Sequence, residues 1–229
     1  MTLSSVEICA GAGGQALGLE QAGFKHQALV ENDHHSCNTL RLNEPDFKVV
    51  EDDLANFSGH SYHGIDLLAG GLPCPPFSIA GKKLGEADER NLFPDAIRLV
   101  DEIRPRSVMI ENVRGFLDGV FSDYREYIKS ELHKLGYYCE WQLLNASDFG
   151  VPQLRPRVVF IGIQHEYKEH FKWPRQHPIA PPTVGEALYD LMASRGWKGA
   201  SAWRDRASEI APTIVGGSKK HGGADLGPT

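Results

Sequence analysis

Nowhere in the 229 residues is there a run of about 18 apolar side chains, so a membrane-spanning helix is not expected. The opening residues, Met1-Thr2-Leu3-Ser4-Ser5, lack the basic-then-apolar layout of a secretory signal, and a cytoplasmic protein is the expectation. Cysteine is scarce and scattered. Cys9, Cys37, Cys74 and Cys139 form no C-x-x-C pair, so neither a disulfide framework nor a structural zinc is indicated, and no metal site is predicted. Positive charge is in deficit, with 24 Lys and Arg against 30 Asp and Glu, a formal net charge of −6. That argues against a surface that attracts phosphate everywhere. It leaves room for local basic clusters at Lys82-Lys83, at Arg155 with Arg157, and at Lys219-Lys220-His221, each of which also reads as ordinary solvated charge. No internal repeat is present.

What is there has the balance of a globular protein: 41% hydrophobic and 24% charged residues, in a length that accommodates one domain and part of a second. Short apolar runs alternate with helix-like stretches. Strands are predicted at residues 6–9, 27–30, 49–50, 65–69 and 107–111, the fourth ended by Gly70-Gly71. Helices are predicted at 13–22, stopped by Gly23, and at 34–42, 92–103 and 124–135. The alternation predicts an α/β fold, a doubly wound and mostly parallel sheet. Residues 137–144 and 157–163 then read as two strands with no helix between them, an antiparallel hairpin at one sheet edge. From Trp173 the chain is rich in proline, with Pro174, Pro178, Pro181 and Pro182 marking a linker; residues 183–192 read as one further helix.

Four constellations carry chemistry. Ala10-Gly11-Ala12-Gly13-Gly14 lies between the first strand and the first helix, where glycines let backbone amides approach a ligand at a helix N-terminus. Skipping Gly14, it fits a loose G-x-G-x-x-A dinucleotide pattern, and Glu31 follows 20 residues after Gly11, where an acid can accept from a ribose hydroxyl. Asp53, after the third strand, can accept from an adenine amino group. Alone, this indicates a nucleoside-containing cofactor, and a nicotinamide-dependent oxidoreductase is one reading of it; a plain strand-to-helix turn is another. Gly70-Gly71-Leu72-Pro73-Cys74-Pro75-Pro76-Phe77-Ser78 sits at the end of the fourth strand, where open α/β sheets hold their ligands. A cysteine there suits nucleophilic work, although a lone cysteine is more often structural. Glu111-Asn112-Val113 ends the fifth strand; if the fourth and fifth strands are neighbours, Glu111 comes near Cys74. Val151-Pro152-Gln153-Leu154-Arg155-Pro156-Arg157 places two guanidinium groups two residues apart, on one side of an extended segment.

In this order and at these spacings, the segments resemble the motifs of the DNA cytosine carbon-5 methyltransferases. Asp88-Glu89-Arg90-Asn91-Leu92-Phe93 resembles the opening of that family's next helix, and Phe149-Gly150-Val151-Pro152-Gln153 extends the arginine segment. The resemblance covers residues 3–165 and is most specific at Pro73-Cys74-x-x-Phe77-Ser78 with Glu111-Asn112-Val113.

The resemblance implies a Rossmann-like domain that binds S-adenosyl-L-methionine, releases S-adenosyl-L-homocysteine and acts on double-stranded DNA in a restriction–modification system. Cys74 is then the nucleophile toward carbon 6 of a flipped-out cytosine, Glu111 the acid at ring nitrogen 3, Arg157 the holder of the cytosine carbonyl and Arg155 its support. Residues 78–89, with Gly81, Gly85, Lys82 and Lys83, become a loop closing over the base. The cofactor residues become Cys9, Ala10, Gly11, Gly13, Gly14, Glu31, Asn32, Asp53, Leu54, Pro73 and Leu92. The chain departs from the family pattern at Cys9, where phenylalanine is usual, at Asn32, where an aromatic is common, and at Leu72 beside Pro-Cys. Residues 1–172 are expected to form the catalytic domain, and 173–229 a linker with the start of an incomplete target-recognition region, opening at Ala211-Pro212-Thr213-Ile214-Val215-Gly216-Gly217. The family's last motifs are not found, which points to a second subunit or a missing C-terminal part, and to a catalytically incomplete DNA- or cofactor-binding module as the alternative function.

Overall fold

The computed structural model describes residues 2–73 and 91–213; Cys74, the loop expected at 78–89 and the glycine-rich end of the chain lie outside these. The described residues divide into two compact units. The first runs to Leu143 and resumes at Val158–Lys172; the second takes Leu144–Arg157 and the residues from Trp173 on.

The first unit is built on a seven-stranded sheet. In chain order its elements are β1 (Leu3–Ile8), α1 (Gly14–Gln21), β2 (Phe24–Glu31), α2 (His34–Asn43), β3 (Val49–Glu51), β4 (Leu67–Gly71), α3 (Phe93–Ile103), β5 (Ser107–Val113), α4 (Ser122–Lys134), β6 (Tyr137–Asn145) and β7 (Pro156–Gln164). The sheet order is β3-β2-β1-β4-β5-β7-β6, and the pairs from β3 through β5 are parallel. At the other edge the Gln164 amide, ending β7, donates to the Arg106 carbonyl that precedes β5 (3.1 Å). The His165 amide meets the Gly136 carbonyl at the start of β6 (3.1 Å). End meets beginning in both, so the edge hairpin runs antiparallel, as its lack of a crossover helix predicts.

Burial follows the sequence pattern. In β5, Val108, Ile110 and Asn112 are buried on one face. In α3, Phe93, Ala96, Leu99, Val100 and Ile103 recur at helical spacing and pack on that same face with Val6, Ile8 and Leu68. Each Val, Leu, Ile or Phe among them, taken from water, contributes about 1.5–3 kcal/mol. Phe93 stacks on Phe116 (ring centroids 5.3 Å apart), and the Tyr124 hydroxyl donates to Asn91 Oδ1 (2.7 Å), which fixes the entry into α3. The opposite face carries Leu67, Ala69 and Met109 against Leu19 of α1.

Two expectations are corrected. The fourth strand is Leu67–Gly71, not residues 65–69 with the glycines as its stop; Gly70 and Gly71 are ladder members opposite Ile110 and Glu111. Cys9 is not in the first strand, which ends at Ile8; its φ of 51° already belongs to the following turn. The second unit also holds a helix not foreseen. Besides α5 (Val184–Ala193), capped reciprocally by Thr183 and Glu186, it has α6 (Ala200–Arg206). Among the described residues no helix is long and apolar enough to cross a membrane.

Candidate functional site

The chain leaves β1 for β2 and β3 on one side and returns through β4 and β5 on the other. A crevice therefore opens at the carboxyl ends of β1 and β4, the place where doubly wound sheets bind ligands. A cavity of about 460 Å³ lies there, lined by Cys9, Val30, Glu31, Asn32, Asp52, Asp53, Leu54, Gly71, Pro73 and Leu92. Seven of these were expected; Val30, Asp52 and Gly71 were not. Their signal was adjacency alone: Val30 and Asp52 neighbour expected residues, and Gly71 was read as a stop rather than a wall.

The turn over this cavity is shaped by three left-handed residues, Cys9 (φ 51°), Gly11 (φ 54°) and Gly13 (φ 93°). At Gly13 a β-carbon would also stand 2.5 Å from Leu40 Cδ2 of α2, so only glycine lets α1 begin where it does. The Gly13 amide returns to the Ala10 carbonyl (3.1 Å), and the Ala10 amide is held by the Val30 carbonyl (3.1 Å). The Ala10 side chain turns into the core with Ala16, Leu29 and Leu40, so its contribution is backbone only.

Glu31 organises one corner of the cavity. Its Oε2 accepts from the Gly11 amide (2.7 Å), and its Oε1 from the amides of Asn32 (3.0 Å) and Asp33 (2.8 Å). A carboxylate has about four acceptor positions, so one on Oε2 is left for a ligand hydroxyl. Asp53 Oδ1 accepts from the Ala55 amide (2.9 Å), fixing that carboxylate at the cavity wall. The apolar walls, Val30, Leu54, Pro73 and Leu92, suit a flat heterocycle, and the volume is within the usual 300–1,000 Å³ of ligand pockets. The residues thus fit a nucleoside cofactor. Cys9, on the same wall, is no nucleophile. Burial, then the carboxylates of Glu31, Asp53 and Asp95, push its thiol up to about 12.

The second centre is where β4 and β5 end together. Gly71, three residues before Cys74 in the sequence, pairs with Glu111. A β-carbon on Gly71 would be 3.7 Å from Glu111 Oε2. Asn112 is buried; its Nδ2 donates to the Leu72 carbonyl (3.2 Å), and its Oδ1 accepts from the Val113 amide (2.8 Å). The Asn of Glu111-Asn112-Val113 thus ties the end of β5 to the chain entering the Pro-Cys segment. Arg155 and Arg157 belong to the second unit. The Arg155 amide donates to Asn145 Oδ1 (2.8 Å), and the Arg157 guanidinium donates to the Pro156 carbonyl (2.9 Å).

Type II methyltransferase M.NgoMIV of Neisseria gonorrhoeae is 58% identical over 215 residues, 94% of this chain and 69% of that protein. Type II methyltransferase M.NaeI of Lentzea aerocolonigenes is 55% identical over 231 residues, 100% of this chain and 56% of that protein. The chain thus spans between about half and two thirds of the curated relatives' length. Among solved structures, a protein described as a DNA modification methyltransferase from an Escherichia coli prophage matches with TM-score 0.70 and 30% identity, over 82% of this chain and 54% of that one. A Spodoptera frugiperda DNMT2 mutant, 21% identical at TM-score 0.65 over 80% of this chain and 59% of that one, shares the fold. None of this favours the nicotinamide reading. With its glycine turn, its Glu31 carboxylate at the cavity and its paired β4 and β5 ends, and with residues 3–223 matching the family as a whole, the chain belongs to the C-5 cytosine-specific DNA methylases.

Proposed function

We propose that this chain carries the catalytic machinery of a restriction–modification DNA (cytosine-5)-methyltransferase acting on duplex DNA. The observation that carries the proposal is the register of Glu111 with Gly71, three residues before Cys74 in the sequence, next to a nucleoside-sized cavity that Gly71 and Pro73 line.

Carbon 5 of cytosine is a weak nucleophile, and the chain's residues supply the means to activate it. The Cys74 thiolate adds to carbon 6, while Glu111 hydrogen-bonds or protonates ring nitrogen 3, so electron density moves to carbon 5. S-adenosylmethionine, held by Glu31, Asp53 and the walls at Leu54, Pro73 and Leu92, supplies an electrophilic methyl group when bound. After transfer a base removes the carbon-5 proton, the carbon 5–carbon 6 double bond re-forms, and Cys74 leaves as thiolate by β-elimination. Arg157, supported by Arg155, holds the cytosine carbonyl. The target must leave the stack, at a cost of a few kcal/mol.

The test is a covalent trap. A duplex library carrying 5-fluorocytosine in every sequence context blocks the final elimination, and the adduct is located by mass spectrometry. Cys74 is expected, since burial raises the thiols of Cys9 and Cys139 to about 12 and also raises that of Cys37. An adduct on one of those three would overturn the assignment. Cys74→Ser is expected to give none.

A further inference from the structure

The floor of the cavity at its adenine end is irregular chain. Residues 52–59 form no strand or helix, yet they supply Asp52, Asp53 and Leu54 to the wall. Such a segment needs something outside itself to fix it. That something is one guanidinium. Arg98 of α3 donates through Nη2 to the Leu54 carbonyl (2.9 Å) and through Nη1 to the Phe57 carbonyl (3.0 Å). The same two nitrogens are braced on α3 by Asp95 (3.3 Å) and Glu102 (2.8 Å), one turn to either side. Glu102 extends the clamp, its second oxygen accepting from the Gly59 amide (2.6 Å). Backbone groups at 54, 57 and 59 therefore all end on one helix, and the Asp53 carboxylate rides on the piece so held. Arg98 itself lines no part of the cavity.

We propose that Arg98 is a positioning residue for the adenosyl half of the cofactor, setting where Asp53 and Leu54 stand relative to Cys9 and Leu92. The proposal rests on the cavity being the cofactor site. Four bonds from one planar fork are beyond a lysine, whose ammonium is a point charge with three donors, so charge alone does not replace it. The burial of Glu102 works to raise its pKa, but the Gly59 amide and the Arg98 guanidinium outweigh it and hold the carboxylate below its ordinary value, as a formed clamp requires.

The experiment compares the 229-residue chain with Arg98→Met and Arg98→Lys, by calorimetric titration with S-adenosylhomocysteine and with adenosine, and by amide hydrogen exchange. In Arg98→Met both ligands are expected to bind about ten- to a hundredfold more weakly, by the same factor, because the loss lies in the half they share. Arg98→Lys is expected to fall between. Exchange at the Asn56, Phe57 and Gly59 amides should quicken while the amides inside α3 keep their protection. Unchanged affinity in Arg98→Met, or unchanged exchange over 56–59, would overturn the positioning role. So would loss of protection throughout α3, which would make Arg98 a structural residue only. Failure of the unaltered chain to bind either ligand would overturn the reading of the cavity itself, and the proposal with it.

Discussion

Gly71 and Glu111 stand opposite each other on adjacent parallel strands, with room for a β-carbon on the glycine at ordinary contact distance from the carboxylate. One position earlier, Gly70 has no such space. A β-carbon there would lie 2.6 Å from Ile8 Cγ1 and 2.7 Å from the Ile8 carbonyl oxygen, a backbone atom that cannot swing aside. Neighbouring glycines thus answer different demands. Gly70→Ala is expected to destabilise the chain by about 1–3 kcal/mol through overpacking. Gly71→Ala meets only ordinary contacts, at 3.7 Å from Glu111 and 4.0 Å from Gln15, and is expected to be near neutral. Urea unfolding of the two variants checks this; equal losses would refute it.

Glu111→Gln keeps the size of the side chain but removes its acid. Methyl transfer is expected to slow by about 10²–10⁴-fold, the usual worth of a general acid or base, with S-adenosylhomocysteine affinity unchanged, since Glu111 is not among the cavity-lining residues. Single-turnover transfer and titration together separate the two effects. Weakened cofactor binding with an unchanged chemical rate would reject the role.

Glu7 gives the chain a pH dependence of its own. It is 1% exposed in the middle of the sheet, and its Oε2 finds no hydrogen-bond partner among the described residues. Burial raises its pKa from 4.5 to about 8. Between those values the folded chain holds a proton that the unfolded chain has released, so stability falls as pH rises across that window, by at most about 1.4 kcal/mol per pH unit. Below pH 4.5 both states are protonated, and above 8 both are ionised. Glu7→Gln is expected to remove the slope and to be the more stable form at pH 8, by up to roughly a few kcal/mol. Thermal midpoints taken from pH 5 to 8 test it; a parallel slope in the variant would show that the dependence comes from elsewhere.

Cys9 and Cys139 are expected to resist alkylation in the native chain. Their thiols are raised to about 12, Cys9 by burial and then by three carboxylates, Cys139 chiefly by burial. The thiolate is the reactive form, so at neutral pH iodoacetamide should leave both unmodified until denaturant is added. Peptide mapping of native and unfolded samples decides; rapid native labelling of Cys9 would mean that its wall of the cavity is open.

The strand–helix alternation as far as β5 and the edge hairpin were legible in the residues, because apolar periodicity and glycine position carry them directly; most of the cavity lining was legible only through the resemblance of the motifs to the family. The fourth strand was misplaced because glycine reads locally as a breaker. What keeps Gly70 and Gly71 in the ladder is tertiary, the close approach of Ile8 on one side and pairing with β5 on the other. Helix α6 was missed for a similar reason. Seven residues with one buried side chain, Ala200, show no apolar period. The helix is held from outside, by the Gly185 amide donating to the Ala207 carbonyl (2.7 Å) and by Arg204 over the Tyr189 ring. The Arg98 clamp was invisible altogether, since its acceptors are carbonyls 41 and 44 residues away, which no side-chain pattern records.

Glu31 stitches the β1 turn to the β2 turn with three amide hydrogen bonds made wholly within the chain. The ordering of that corner is therefore completed during folding, when the chain's entropy is lost in any case. A ligand entering the cavity finds the Glu31 carboxylate already fixed, and little of its binding free energy is spent on immobilising loops. The same stitch works in reverse: whatever loosens the glycine turn also moves the Glu31 carboxylate, so the two turns respond to a disturbance as one rigid corner and not as two independent loops.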